Sequence, residues 1–164
     1  MPYSWKGIIA GFIATIVISA IFMASNAMGV LPELDIVHWI DQLGSVQRTA
    51  AWIDHFIVGT LLWGPIFTAF ESMTPPGPPR WQKGLMFAVI AWVAMMLIFM
   101  PVVGAGLFGW RAGLTASVGM FGLHLVYGLV LGVAFEFLDR TFPTKALIPD
   151  QPPLPEMAQF KDKD

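Results

Sequence analysis

The chain contains no cysteine. Disulfides, thiolate metal centres and iron–sulfur clusters held by cysteine are therefore excluded. Charge is scarce too, since Asp, Glu, Lys and Arg make up 12% of residues, against roughly a quarter in an ordinary soluble domain. Four stretches carry no such residue at all: 7–32, 55–70, 84–110 and 112–135. Catalytic signatures are missing as well. There is no Gly-x-Ser-x-Gly elbow, no His-Glu-x-x-His zinc motif and no phosphate-cradling glycine loop, so the residues that usually announce nucleophilic or zinc-assisted hydrolysis are not there. We expect no enzyme. The net charge of −2 also leaves a nucleic-acid partner without the basic patch it would need.

What is present is apolar. Hydrophobic residues make up 56% of the chain, and the mean hydropathy is +0.68. A helix crossing a hydrocarbon layer of ~30 Å needs about 20 residues. Three of the uncharged stretches reach that length outright, and the second reaches it by including 52–54 or 71–73. A closed β-barrel would instead need alternating segments of about ten residues, which these runs are not. The spacing predicts an all-α membrane protein with four transmembrane helices, over about 4–30, 50–73, 81–108 and 113–140, forming one domain over 1–140. The segment 32–44, PELDIVHWIDQLG, mixes acids with Leu34, Ile36, Val37 and Ile40; it reads as a short amphipathic helix on the outer membrane surface. The Pro-rich, charged tail over 141–164 reads as an extended segment.

Lys and Arg set orientation through the short connections. Lys6, Arg80, Lys83, Arg140, Lys145, Lys161 and Lys163 fall on one side, and Arg48 and Arg111 on the other. That asymmetry is expected to place both termini in the cytoplasm. Lipids and other integral membrane subunits are the expected partners.

The chain also resembles itself. Lys6-Gly7 matches Lys83-Gly84, Ile13-Ala14 matches Ile90-Ala91, and Ile21-Phe22-Met23 matches Ile98-Phe99-Met100, all at an offset of 77. Farther on, His55-x3-Gly59 matches His124-x3-Gly128 at an offset of 69. Two tandem two-helix repeats with parallel orientation would make His55 and His124 related positions.

Small residues mark where membrane helices approach closely. Gly7, Gly11, Gly59, Gly84, Gly128 and Gly132 are the expected helix-packing positions. An ionisable residue inside a membrane is a site candidate by default, which singles out His55 and His124 as cofactor-binding candidates. Neutral imidazole can ligate haem iron, chlorophyll magnesium or a transition metal. Haem b or a (bacterio)chlorophyll are the cofactors considered, with no separate metal site assigned. The plainer reading of each ring is one hydrogen bond to a neighbouring carbonyl or hydroxyl. Pro65 and Pro101 fall in or near helices, where kinks are expected.

His55-x3-Gly59, the GPP-x-x-x-x-G connection ending at Gly84, Pro101-x2-Gly104-x-Gly106-x-Phe108 and His124-Leu-Val-Tyr-Gly128-Leu-x-Leu-Gly132 together resemble an uncharacterised family of small four-helix bacterial integral membrane proteins, a domain of unknown function. The resemblance covers roughly residues 5–138. It implies the helix count and no activity. From the residues we expect a non-catalytic accessory or structural subunit of a larger respiratory, photosynthetic or oxidising membrane complex. The alternatives are a haem-, pigment- or metal-binding membrane protein using His55 and His124, and a small oligomeric transporter.

Overall fold

A computed structural model describes residues 4–29 and 48–143. The amphipathic segment 32–44 with His38, and the tail beyond 143, lie outside the described residues. Four helices are long and apolar enough to cross a membrane: α1, Ser4–Met28; α2, residues 48–73; α3, Arg80–Val102; and α4, Leu114–Thr141. The helices pack with one apolar side inward and leave Ile, Leu, Val and Met side chains exposed along the outside, as hydrocarbon surroundings allow.

Three of the four expected helix spans agree with these bounds to within about two residues. The third does not, because α3 stops well short of 108. Gly104 adopts φ +81°, its N–H donates to the Pro101 carbonyl at 3.1 Å, and the Ala105 N–H donates to the Met100 carbonyl at 2.9 Å. This paired capping satisfies the last carbonyls and turns the chain through a left-handed residue that glycine adopts at little cost. Residues 103–113 then fold back over the bundle, with Phe108 held at φ 53°. Its carbonyl accepts from the Ser117 hydroxyl at 2.7 Å, and its ring lies 5.8 Å from that of Trp92.

The prolines produce something more specific than kinks. Each is preceded by a π-helical turn, Val58–Leu62 before Pro65 and Met95–Phe99 before Pro101. Proline has no N–H for the carbonyl four residues back, and its ring crowds that carbonyl. The helix relieves this by widening, so that the Trp63 N–H reaches Val58 and the Met100 N–H reaches Met95, five residues back. Each π turn holds one residue more than the α-helix it interrupts.

That extra residue explains the shape of the repeat. Ahead of the α2 π turn, α2 and α4 correspond at an offset of 69; after it the offset becomes 68, pairing Gly64 with Gly132, Phe67 with Phe135 and Glu71 with Asp139. Phe67 and Phe135 are both fully buried, with ring centroids 5.5 Å apart. Both hairpins cross on glycines, although the tightest contact in the second falls one helical turn away from the position that corresponds to Gly64. A Cβ on Gly7 would lie 2.4 Å from the Gly64 carbonyl oxygen of α2, and one on Gly84 would lie 2.1 Å from the Gly128 carbonyl oxygen of α4. Backbones this close require glycine.

Charged residues at the end of the bundle nearest residue 4 link all four helices. Lys6 Nζ of α1 donates to Asp139 Oδ1 of α4 at 2.6 Å, and Lys83 Nζ of α3 lies 3.5 Å from Glu71 Oε1 of α2. Exchanging α1 with α3 and α2 with α4 turns one pair into the other. Arg80 bridges them, 2.6 Å from Asp139 Oδ2 and 3.3 Å from Glu71 Oε1. Lys6 is only 1% exposed. Ions this deep need partners, because desolvation costs several kcal/mol per charge.

Candidate functional site

At the other end the exchange fails, and a cavity of about 550 Å³ opens between the helices. α1 packs along α4, whereas its counterpart contact, α2 against α3, is slight. Those two helices meet chiefly where the Phe87 ring touches Trp63, Phe67 and Phe70 at 5.4 to 5.7 Å between centroids. Beyond Trp63 both π turns widen their helices, and the space between them becomes the cavity. Val58 and Leu62 of one turn and Met95 and Ile98 of the other line it.

His55 and His124 both line this cavity, so the structure brings the two candidate residues to one site. His124 reaches it from α4. Its Nδ1 lies 2.8 Å from the Met120 carbonyl oxygen, and since a carbonyl only accepts, Nδ1 carries the proton. The neutral ring then has its lone pair on Nε2. His55 reaches the cavity from α2, with the rings of Trp52, Phe56 and Phe22 edge-on to it at 5.7, 5.9 and 6.2 Å. Its Nε2 is buried and has no hydrogen-bond partner. Asp54 lines the same space.

Tyr127, one helical turn from His124, closes the floor. Its hydroxyl donates to the Gly59 carbonyl at 2.6 Å, tying α4 to the π turn of α2. Gly59 has no room for a side chain, because a Cβ there would lie 2.1 Å from the Thr15 hydroxyl oxygen of α1. Gly11 passes the same turn, with Gly59 O 2.7 Å from where its Cβ would stand. A Cβ on Gly128 would lie 2.2 Å from the Gly84 carbonyl, and one on Gly132 2.4 Å from the Arg80 carbonyl. All six glycines singled out from the sequence therefore sit at crossings inside the bundle.

A family of unknown function, DUF6789, matches residues 1–145. The chain belongs to the DUF6789 family. No curated protein and no solved structure matches it. Membership in DUF6789 carries no activity with it, so the chemistry must be argued from the cavity.

That chemistry is mostly apolar, with a few polar atoms. Asp54 is the only charged residue lining the cavity among the described residues. A haem would bring two propionates and would meet a carboxylate where it needs cations, so its fit is poor. Among the described residues no three of His, Asp and Glu come together in metal-ligating range, and an ion here would rest on fewer than three protein ligands. A neutral, lipid-soluble molecule that hydrogen-bonds to imidazole meets neither obstacle. Tyr127, the π turns and the five-residue ion network escaped the sequence reading. The one available signal was the pair of prolines, each lying within an uncharged stretch that also holds cavity-lining residues.

Proposed function

We propose that this protein is a non-catalytic, multi-pass protein of the bacterial cytoplasmic membrane that holds a neutral lipophilic ligand between His55 and His124, with both termini in the cytoplasm. The observation that carries the reading is the 550 Å³ cavity lined by both imidazoles. That volume lies within the range of small-molecule sites, roughly 300–1,000 Å³, which are mostly apolar with a few placed polar groups. The buried, unpartnered Nε2 of His55 adds weight, because an unsatisfied polar atom in hydrocarbon surroundings costs about 1–3 kcal/mol unless something bonds to it. The Lys and Arg distribution supports the orientation.

The test is solvent extraction and mass spectrometry of the protein purified in mild detergent. One neutral lipophilic compound should accompany the wild type near stoichiometrically and be lost from Ala94→Phe, which fills the cavity from α3. A wild type that carries no such compound and takes none up from detergent would overturn the reading.

A second reading, an accessory subunit of a larger membrane complex, draws support from Gly122. This glycine sits mid-helix on the exposed side of α4 with nothing within 4 Å of where its Cβ would be, one turn beyond the small residues Thr115 and Gly119 on the same stretch. Such a strip suits a neighbouring helix. The six helix-packing glycines add nothing to that reading, because they are used within the bundle. Co-purification of a defined partner, lost in Gly122→Leu, is the outcome this second reading requires.

A further inference from the structure

The cavity has a side door. In the bundle's own pseudo-symmetry, the contact of α1 with α4 should be repeated between α3 and α2, yet past Trp63 these two helices part. The residues flanking the gap are both cavity-lining and exposed: Ile57 at 47%, Val58 at 41% and Leu62 at 47% on α2, and Ile98 at 66% on α3. An opening with such walls faces the acyl chains and not the aqueous phase. Whatever occupies the cavity therefore comes from the bilayer.

The inner surface then narrows the class. The lining offers aromatic faces from Phe22, Trp63 and Phe99 and the polarizable sulfurs of Met95 and Met120, which suit a flat ring. His124 Nε2 offers a lone pair, because Nδ1–H is committed to the Met120 carbonyl. A lone pair in such a place calls for a donor, and a purely carbonyl-bearing ring has none to give. His55, on α2, brings a second imidazole to the lining, and its Nε2 is buried without a hydrogen-bond partner. The combination asks for a flat aromatic ring bearing hydroxyls on opposite edges, with a hydrocarbon tail long enough to remain in the gap.

We propose that the cavity binds the head group of an isoprenoid quinol in its reduced, dihydroxy form, one hydroxyl donating to His124 Nε2 and the other facing His55, with the tail leaving between the π turns of α2 and α3. This rests on the ligand-holding function proposed above and names its ligand class. No redox step is involved. The protein distinguishes the reduced from the oxidised head group by whether it can donate a hydrogen bond.

The experiment uses the full chain in lipid nanodiscs and three probes: decylubiquinol, decylubiquinone and the oxygen-free decylbenzene. One hydrogen bond gained without a competing loss is worth about tenfold in affinity. The quinol should bind about tenfold tighter than the quinone. His124→Leu should erase that preference while leaving quinone binding in place, and His124→Gln, which keeps an acceptor oxygen at similar reach, should retain part of it. Ile98→Trp, which obstructs the gap from α3, a helix that carries neither histidine, should weaken all three probes or slow their uptake. Equal wild-type affinities for quinol and quinone would overturn the proposal, as would a preference that survives His124→Leu. If decylbenzene still binds in that case, the ligand-holding function stands and only the ligand class falls. If none of the three probes binds, both fall.

Discussion

Gly84→Ala should destabilise the bundle, and Gly122→Ala should not. A Cβ at residue 84 would lie 2.1 Å from the Gly128 carbonyl oxygen and 3.1 Å from Gly132 Cα, both backbone atoms on α4. A methyl carbon and a carbonyl oxygen approach no closer than about 3 Å, so the two helices must separate by roughly 1 Å along their tightest crossing. Overpacking of this kind typically costs about 1–3 kcal/mol. The upper part of that range applies here, because the obstacle is main chain and has no rotamer into which to retreat. Spreading α3 from α4 also pulls Arg80 away from Asp139, the carboxylate it reaches across that crossing. Residue 122 provides the internal control: the same substitution on α4 meets nothing within 4 Å and removes a helix-interior glycine, which is worth about 0.5–1 kcal/mol in favour of alanine. Thermal unfolding of both variants in one detergent, followed by loss of the monodisperse elution peak, reads the difference. A midpoint several degrees lower for Gly84→Ala, with Gly122→Ala at or above wild type, is the expected result. Equal midpoints would mean that α3 and α4 do not cross where the structure places them.

Three more outcomes follow from the same geometry. Asp139→Asn removes the carboxylate that both Lys6 and Arg80 reach at 2.6 Å and should cost about 3 kcal/mol, whereas Glu136→Gln, which breaks only the exposed pair with Arg140, should fall within about 0.5 kcal/mol of wild type; chemical denaturation of the two side by side decides it. Tyr127→Phe loses the 2.6 Å bond to the Gly59 carbonyl and should lower stability by about 1 kcal/mol, with faster amide exchange at the α2 π turn as its local signature. Deleting Leu61 together with Pro65→Ala should leave a folded protein with a smaller cavity, because the π turn already accommodates one residue more than α4 has at the matching place, while deleting Leu129 from the uninterrupted α4 should abolish monodisperse elution.

The parts of this fold that could be read from sequence are those governed by local composition. Helix count and limits followed from uncharged stretches measured against bilayer thickness, and the glycines marked the crossings because only glycine permits backbone contact. The end of α3 was misplaced because apolar residues continue through Leu107 and Phe108 after the helix itself has stopped at a left-handed Gly104; hydropathy does not register that change of backbone. The histidines were visible as ionisable groups in apolar surroundings, yet that they line one cavity rests on the π turns, which also convert an offset of 69 into one of 68. An offset change of one residue looks like noise until coordinates show a widened turn to absorb it. Lys6, Glu71, Arg80, Lys83 and Asp139 read as anchors at helix ends for a similar reason: nothing in their spacing says that the ends of all four helices converge to bury them.

The central claim is that the space between His55 and His124 exists to be filled by a neutral molecule from the bilayer. An experimental density map of the protein taken from its native membrane tests this most directly. The account predicts a flat feature between the two imidazoles, with a hydrocarbon tail running out between α2 and α3. A map in which Met95, Met120 and Phe99 close over the space, leaving the two rings in contact with protein alone, would contradict it.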